Sequence, residues 1–250
     1  QKVIQVKHWT DNLFSFRITR PKSFKFRSGE FVMIGLLDSD DKPILRAYSI
    51  CSPSWSEELE FYSIIVKDGP LTSKLKNIKI GDDIVMMPKS TGTLVLDALK
   101  PGKRLFLFSS GTGFAPFAAL IREPETYERF ESIIVTHTCR MMAELSYSKS
   151  IIQECKNEEL VKEFIDNKLL SYHSTTRDDY IFNGRITELI LSGKLFNDLK
   201  INSILSHDRF MFCGSMGLNN DLKKIMMENN LHEGANNNPG EFVLEKAFVD

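Results

Sequence analysis

The order of apolar and polar residues divides the chain near residue 98. In the first part, Phe14, Phe16 and Ile18 alternate with polar residues, a period of two that is typical of a half-buried β-strand. Further strand-like apolar segments cover residues 30–37, 45–52, 59–66, 84–87 and 93–96, with turn residues between them. A helical pattern occurs at residues 71–75. Many short strands separated by turns predict a small antiparallel β-barrel.

After Pro101 and Gly102 the pattern changes to strands that alternate with helices. Apolar strands are predicted at 104–109, 132–138, 168–173 and 209–213. Helices are predicted at 115–122, 144–155, 187–192 and 218–230. This alternation is typical of a doubly wound α/β fold with a parallel sheet. The sequence therefore predicts two domains, an antiparallel β-barrel over residues 1–97 and an α/β domain over residues 98–250.

Composition and charge exclude several classes of protein. Hydrophobic residues make up 42% and charged residues 26% of the chain, as in ordinary globular proteins, and the formal net charge is -1. This charge gives no general attraction to nucleic acid or to anionic membranes. The four cysteines lack C-x-x-C spacing, which argues against a metal or iron–sulfur site, and their sparse use favours a reducing compartment.

Nothing in the sequence directs the chain to a membrane or out of the cell. No apolar run approaches the roughly 18 residues of a membrane span, and residues 1–10 lack the apolar centre of a signal peptide. We therefore expect a cytoplasmic protein. The sequence does not begin with Met, which leaves open a preceding segment with a targeting signal.

Gly111, Thr112 and Gly113 follow the first strand of the α/β part and precede a helix. At such a place backbone amides and the helix dipole favour phosphate, and glycine allows the close approach of a dinucleotide pyrophosphate. Pro116 replaces the third glycine of the G-x-G-x-x-G pattern, but proline suits a first helical turn. The segment indicates a dinucleotide site, and an ordinary strand-to-helix turn is the equally open alternative.

Arginines follow the next strands, where NAD-binding domains usually place an acidic residue that holds the ribose hydroxyl. Arg140 comes directly after the second strand, Thr176 and Arg177 follow the third, and Arg185 follows Gly184. Guanidinium groups bind a 2′-phosphate through two hydrogen bonds. The placement at the ends of successive elements favours NADP over NAD, although any one of these arginines alone is better explained as a solvated surface charge.

Two segments of the barrel part are candidates for a second nucleotide. Arg46 and Tyr48, with Ser49 beside them, lie on a strand and can hold a phosphate and stack on a planar ring. Residues 69–73, Gly-Pro-Leu-Thr-Ser, form a glycine turn that opens a helix and can bind an anion. Taken singly, Tyr48 is more simply a core aromatic residue and Ser73 a helix cap.

The family that this chain resembles is that of the ferredoxin–NADP reductases. The resemblance rests on the order and spacing of four segments, Arg-Ala-Tyr-Ser (46–49), Gly-Pro-Leu-Thr-Ser (69–73), Gly-Thr-Gly-Phe-Ala-Pro (111–116) and Cys-Gly-Ser (213–215). It covers nearly the whole chain. The last six residues, 245–250, are similar to those of the bacterial subclass, whose members reduce ferredoxin or flavodoxin with NADPH.

The resemblance implies that FAD binds to the barrel and NADP(H) to the α/β domain. The implied FAD-binding residues are Arg46, Ala47, Tyr48, Ser49, Ile64, Ile65, Val66, Gly69, Leu71, Thr72, Ser73, Ala247 and Phe248. The implied NADP-binding residues are Thr112, Gly113, Arg140, Thr176, Arg177, Arg185, Cys213 and Gly214. The residues implied at the site of hydride transfer are Tyr48, Ser49, Cys213 and Ala247.

Individual roles follow from the same resemblance. Arg46 would hold the FAD pyrophosphate, Tyr48 would stack on the isoalloxazine ring, and Ser49 would hydrogen-bond near its reactive nitrogen. Cys213 would lie beside the nicotinamide, without covalent chemistry of its own.

The C-terminal tail, 245–250, would return to the flavin. Plant-type members end in an aromatic residue that covers the ring, whereas here the small Ala247 would face it and Phe248 would pack on the adenosine end. A Phe248 that simply fills the core is the alternative.

The sequence thus predicts a monomeric FAD-dependent oxidoreductase that transfers electrons between NADPH and a one-electron carrier, ferredoxin or flavodoxin. One alternative keeps the fold and changes the partner, namely an NAD(P)H-dependent flavin reductase or diaphorase, and a second, of another class, is an electron-transfer subunit of a larger complex. A non-catalytic redox sensor is a third.

Overall fold

The first part of the chain forms two three-stranded antiparallel sheets. A computed structural model describes residues 1–247. Its first six strands are β1 (Val3–His8), β2 (Leu13–Thr19), β3 (Phe31–Leu37), β4 (Pro43–Ser49), β5 (Glu58–Ile64) and β6 (Val85–Thr91), and the short helix α1 (Thr72–Leu75) lies between β5 and β6. The sheet orders are β1-β2-β5 and β4-β3-β6. These sheets confirm the antiparallel fold predicted for this part.

One apolar core lies inside this antiparallel part. Phe14, Phe16 and Ile18 of β2 are buried in it, and the Phe16 ring lies 5.5 Å from that of Phe61 on β5. Because side chains alternate along a strand, their period of two turns one face of β2 toward this core.

Two details of this part differ from the prediction. Strand β1 was not predicted. The strand predicted at residues 93–96 is wrong, because the backbone amide of Thr93 donates to the carboxylate of Glu245 rather than to a neighbouring strand. The apolar residues that suggested a strand, Leu94 and Val95, are buried in a loop that leads into a 3₁₀ turn at Leu96–Ala98.

The second part is a five-stranded parallel sheet with helices on both faces. Its strands are β7 (Arg104–Ser110), β8 (Ser132–Cys139), β9 (Leu169–Thr175), β10 (Asp208–Gly214) and β11 (Phe242–Lys246). Its helices are α2 (Ala115–Leu120), α3 (Pro124–Arg129), α4 (Ser146–Cys155), α5 (Lys162–Lys168), α6 (Ile186–Leu191), α7 (Lys194–Leu199) and α8 (Met216–Glu228). The strand order is β11-β10-β7-β8-β9, which confirms the doubly wound α/β fold.

Burial on both faces explains why the strands of the parallel sheet could be predicted from the sequence. Leu105 and Leu107 of β7 face one core, and Phe106 and Phe108 of the same strand face the other. A strand covered on both faces is a continuous apolar run rather than an alternating one. The elements α3, α5, α7 and β11 were not predicted, since they are short and carry charged residues.

The order of strands places a crevice beside β7. The chain passes from β7 to β8 and β9 on one side and then returns to β10 and β11 on the other. Ligands of open α/β sheets bind outside the carboxyl ends of the strands at such a reversal. The predicted glycine turn, at residues 111–114, lies at this place.

A buried polar cluster joins the two parts of the chain. Arg122, which follows α2, donates to the carbonyl oxygen of Cys51 (2.6 Å) and lies 3.2 Å from the carboxylate of Glu60 on β5. The Tyr147 hydroxyl on α4 donates to the other oxygen of Glu60 (3.1 Å). Buried charges need such partners, so this cluster fixes the position of the antiparallel sheets against the parallel one.

Candidate functional site

A cavity of about 860 Å³ lies between the two parts of the chain and is lined by residues of both. Its walls include β4 and the loop after β5 on one side, and the glycine turn and β11 on the other. This volume lies within the roughly 300–1,000 Å³ that is usual for ligand pockets.

Strand β4 supplies four neighbouring residues to the cavity, namely Arg46, Ala47, Tyr48 and Ser49. Consecutive residues of a strand point to opposite faces, but β4 is an edge strand of its sheet, so its free edge and both faces can reach the same space. The segment that was predicted to hold a nucleotide is therefore part of the cavity wall.

The side chains of Tyr48 and Arg46 on β4 differ in burial and in their contacts. The Tyr48 hydroxyl is 3.1 Å from the Ser63 hydroxyl, its ring meets that of Phe61 edge-on, and burial raises the pKa of Tyr48. The ring is thus fixed and uncharged at neutral pH. Arg46 is exposed and forms none of the ion pairs found within residues 1–247, so its guanidinium can bind an anion.

The loop after β5 forms the next part of the wall. Ile64, Val66 and most of the predicted glycine turn line the cavity, the latter as Gly69, Pro70, Leu71 and Thr72. The Thr72 hydroxyl holds the turn by accepting from the amide of Val66 (3.1 Å). Ile65 instead packs against the barrel core, and Ser73 is not part of the cavity lining.

The last described strand, β11, returns to the cavity. Glu245, Lys246 and Ala247 line it, and the amide of Ala247 donates to the carbonyl oxygen of Gly214 (3.0 Å). Ala247 thus belongs to the cavity wall, and its contact with a flavin stays a prediction. Phe248 lies outside the described residues.

A carboxyl group that was not predicted as a site residue also borders the cavity. Burial raises the pKa of Glu245. Hydrogen bonds from Thr93 oppose this effect but do not cancel it. The Thr93 hydroxyl donates to the same carboxylate oxygen (3.2 Å), and the Asn219 side chain donates to the Glu245 carbonyl oxygen (2.7 Å). These contacts tie β11 to both parts of the chain.

The glycine turn brings only some of its predicted residues to the cavity. Thr112 lines it, whereas Gly113 is buried against β10, where an added Cβ would lie 2.0 Å from the carbonyl oxygen of Cys213. Cys213 and Gly214 are buried beside the turn and are not part of the lining. Burial raises the pKa of the Cys213 thiol, so it is an uncharged neighbour of the turn.

The predicted arginines gather at the carboxyl ends of β8 and β9, outside the cavity. The amide of Thr176 donates to the carbonyl oxygen of Cys139 (3.0 Å), and the amide of Arg177 donates to that of Arg140 (3.0 Å). The side chains of Arg140, Arg177 and Arg185 are exposed and form none of the ion pairs within the described residues. This end of the sheet therefore carries free guanidinium groups that suit a phosphate.

Sequence reasoning missed about half of the lining. The residues concerned are Phe31, Tyr62, Ser63, Thr91, Gly92, Thr93, Ala115, Asn236, Glu245 and Lys246. Asn236 comes from a loop of the α/β part and donates to the carbonyl oxygen of Gly92 (2.8 Å). No local pattern distinguishes such a residue. Glu245 and Lys246 could have been found, because they belong to the tail that the resemblance singled out.

The cavity fits a flavin dinucleotide. It offers an aromatic ring at Tyr48, a free guanidinium at Arg46 and a glycine turn for a pyrophosphate. Tyr62, which is 3% exposed, belongs to the cavity wall, and its buried hydroxyl has no hydrogen-bond partner in the part of the chain that the structure describes. That hydroxyl has almost no accessible surface, so the fit rests on Arg46, Tyr48 and the glycine turn.

Neither a metal site nor a spanning helix is present in the described part. Within residues 1–247, no group of three or more His, Cys, Asp or Glu side chains is arranged to hold a metal ion. None of the helices there is long and apolar enough to cross a membrane.

Comparisons with known proteins agree with this geometry. Residues 2–103 match the family model described as an oxidoreductase FAD-binding domain. The whole chain is 55% identical to a flavodoxin/ferredoxin–NADP reductase of Rhodobacter capsulatus, of which it covers 93%, and 43% identical to a ferredoxin–NADP reductase of Azotobacter vinelandii, of which it covers 97%.

A solved structure gives the same result. The crystal structure of a ferredoxin NADP+ reductase from Neisseria gonorrhoeae, with bound FAD and NADP, superposes with a TM-score of 0.88 at 26% identity. The match covers 99% of this chain and 97% of that one.

Proposed function

The chain belongs to the ferredoxin/flavodoxin–NADP reductase family, and from this premise we propose that it is an FAD-dependent oxidoreductase that transfers electrons between NADPH and ferredoxin or flavodoxin. The observation that carries the proposal is the cavity of about 860 Å³, which the two parts of the chain line together. Such a cavity brings a nucleotide held by the parallel sheet to one held by the antiparallel sheets. Held by these walls, FAD would supply the redox chemistry that connects a hydride donor with a one-electron carrier.

We assign roles to residues according to their positions in the wall of the cavity. We assign FAD contacts to Arg46, Tyr48 and Ser49, which would hold the pyrophosphate, support the ring and hydrogen-bond at its reactive edge. The turn with Gly69 and Thr72 would contact the phosphates. No side chain of the cavity has to act as a general base, since hydride transfer between two cofactors requires none.

We assign the nicotinamide end of NADP(H) to Thr112 and the neighbouring Gly113, and the 2′-phosphate end to Arg140, Arg177 and Arg185. Support comes from the strand reversal beside β7 and from the free guanidinium groups at the ends of β8 and β9.

The limits of the two domains, the compartment and the oligomeric state belong to the same proposal. We place the domain boundary between residues 97 and 98, in the 3₁₀ turn that connects the sheets. All four cysteines are buried free thiols, which suits the reducing cytoplasm. We propose a monomer, because the cavity is built by one chain.

Absorption spectroscopy tests the cofactor and the donor together. We expect the purified protein to be yellow and to be bleached faster by NADPH than by NADH in a stopped-flow experiment. Reduced protein should then pass electrons to ferredoxin or flavodoxin faster than to free flavin, which separates the proposal from a flavin reductase. A colourless protein that takes up no FAD would contradict the proposal.

Removing the arginines at the ends of β8 and β9 tests the assignment of the phosphate donor. In an Arg140→Ala, Arg177→Ala double variant we expect kcat/KM for NADPH to fall at least about 100-fold, because two charge-assisted hydrogen bonds, at roughly 1.5 kcal/mol or more each, together contribute about 3 kcal/mol or more. The value for NADH should change little. The exposed Arg129→Ala variant is the matched control, and an equal loss with both donors would show that these arginines do not recognise the 2′-phosphate.

A further inference from the structure

His137 of β8 is a buried histidine that the reaction does not use. It is 1% exposed and lies between the glycine turn and helix α4, outside the cavity lining. A buried imidazole needs partners for both of its ring nitrogens, and which nitrogen carries the proton follows from what those partners are.

The partners of His137 fix its tautomer. Its Nε2 lies 2.8 Å from the carbonyl oxygen of Gly111, which only accepts, so Nε2 carries the hydrogen. The Cys139 sulfur, 3.2 Å from Nε2, is a further weak partner. Nδ1 then accepts from the Ser148 hydroxyl (2.7 Å), whose oxygen accepts from Nε2 of His173 (3.1 Å). The Ser148 hydroxyl also has the carbonyl oxygen of Leu145 within reach (3.0 Å), so the contact with Gly111 is the one that fixes the tautomer of His137.

Burial keeps this chain of hydrogen bonds uncharged. Desolvation, with a smaller contribution from the neighbouring His173, lowers the pKa of His137 to about 3. Desolvation likewise lowers the pKa of His173 to about 4, with a contribution from Lys149. Both rings are therefore neutral near pH 7, and His137 has one donor and one acceptor.

His137 contacts both ends of the glycine turn. It holds the carbonyl of Gly111, whose φ of +54° lies in the left-handed region that favours glycine. Its ring lies 5.1 Å from that of Phe114, with an angle of 32° between the planes. Between these two contacts are Thr112, which lines the cavity, and Gly113, which is packed against β10.

We propose that His137 is a positioning residue for the nicotinamide dinucleotide, because its Nε2–H holds the Gly111 carbonyl and so orients the turn that presents Thr112 to the cavity. The inference rests on the proposed function and adds to it a residue that touches neither cofactor. The histidine determines the affinity for NADP(H) and leaves FAD binding unchanged, since the walls assigned to FAD lie in other segments.

Two amide variants separate a hydrogen-bonding role from a packing role. His137→Gln places an amide donor near the position of Nε2, whereas His137→Asn places its amide near Nδ1 and cannot reach Gly111. We expect the Asn variant of the holoenzyme to bind NADP+ about tenfold more weakly, which corresponds to about 1.4 kcal/mol. The Gln variant should stay within about threefold of the wild type, as expected for a retained hydrogen bond.

The measurement is a titration of the FAD-loaded protein with NADP+, followed by the flavin difference spectrum and by calorimetry. FAD content and the melting temperature control for folding. Equal affinities in the Gln and Asn variants, weak or strong, would overturn the inference. If the wild-type protein does not bind NADP+, this result contradicts the proposed function and therefore also the inference that rests on it.

A second measurement applies if the Asn variant does not fold. Nitrogen-15 NMR of histidine-labelled wild-type protein should show His137 as the neutral tautomer protonated at Nε2. Ser148→Ala, which removes the partner of Nδ1 but leaves the Gly111 carbonyl in place, should keep the ring in this tautomer and leave NADP+ binding close to that of the wild type. A wild-type ring protonated at Nδ1 would contradict the hydrogen bond to Gly111.

Discussion

Replacing Arg122 by methionine will destabilise the protein by about 3 kcal/mol, because breaking a buried ion pair by removing one partner costs about 3–5 kcal/mol. The guanidinium, 10% exposed, donates to the carbonyl oxygens of Ala118 (2.9 Å) and Cys51 (2.6 Å) as well as approaching Glu60. Methionine fills much of the space but leaves the Glu60 carboxylate, 6% exposed, without its closest cation. Arg17, 3.6 Å from the same carboxylate, keeps the loss at the lower end of that range.

The measurement is unfolding of the holoenzyme in urea, followed by circular dichroism and by flavin fluorescence. Arg129→Met is the matched control, because Arg129 pairs with Asp97 and Glu125 at the surface, where loss of an ion pair costs about 1 kcal/mol or less. Adding Glu60→Gln to Arg122→Met should restore part of the stability, because burying an amide costs less free energy than burying an unpaired charge. A double variant less stable than Arg122→Met alone would contradict this account.

The elements that the sequence predicted well are those whose burial produces a recognisable local pattern of apolar residues. Phe106 and Phe108 of β7, with Leu105 and Leu107, form an apolar run because both faces of the strand are covered. β1 has no such pattern, because Val3 is its one fully buried residue. Its place in the sheet comes from its pairing with β2. The strand predicted at residues 93–96 failed for the opposite reason, because burial of Leu94 and Val95 required no strand.

The same distinction applies to the cavity. Arg46, Tyr48 and Ser49 could be predicted together because one strand carries all three to the wall. Tyr62 and Asn236 could not, because each reaches the cavity only through the packing of segments that are distant in the chain. His137 is similar, since its role depends on Gly111 lying 26 positions earlier and on helix α4.

Replacing Gly113 by alanine will reduce kcat/KM for NADPH by about 100-fold, because a shift of about 1 Å in a positioning element can cost that much in rate. An ideal Cβ on Gly113 would lie 2.0 Å from the carbonyl oxygen and 2.6 Å from the carbonyl carbon of Cys213, which are backbone atoms of a buried strand. The turn must therefore move away from β10, and Thr112 moves with it. Stopped-flow reduction of the flavin by NADPH measures the loss, and titration with NADP+ measures the affinity.

The flavin provides the internal control for this variant. The residues assigned to FAD lie on β4, on the loop after β5 and on β11, so the Gly113→Ala protein should be as yellow as the wild type. Gly217→Ala in helix α8 is the matched substitution, because no atom beyond its chain neighbours and the backbone of α8 lies within 4 Å of the Cβ position there, and it should leave both nucleotides bound as before. A Gly113→Ala protein that keeps wild-type reduction by NADPH would show that the close contact between the turn and β10 does not position the dinucleotide. If FAD is lost instead, the variant has disturbed more than the turn, and the separate assignment of the two nucleotides to the two parts of the chain is wrong.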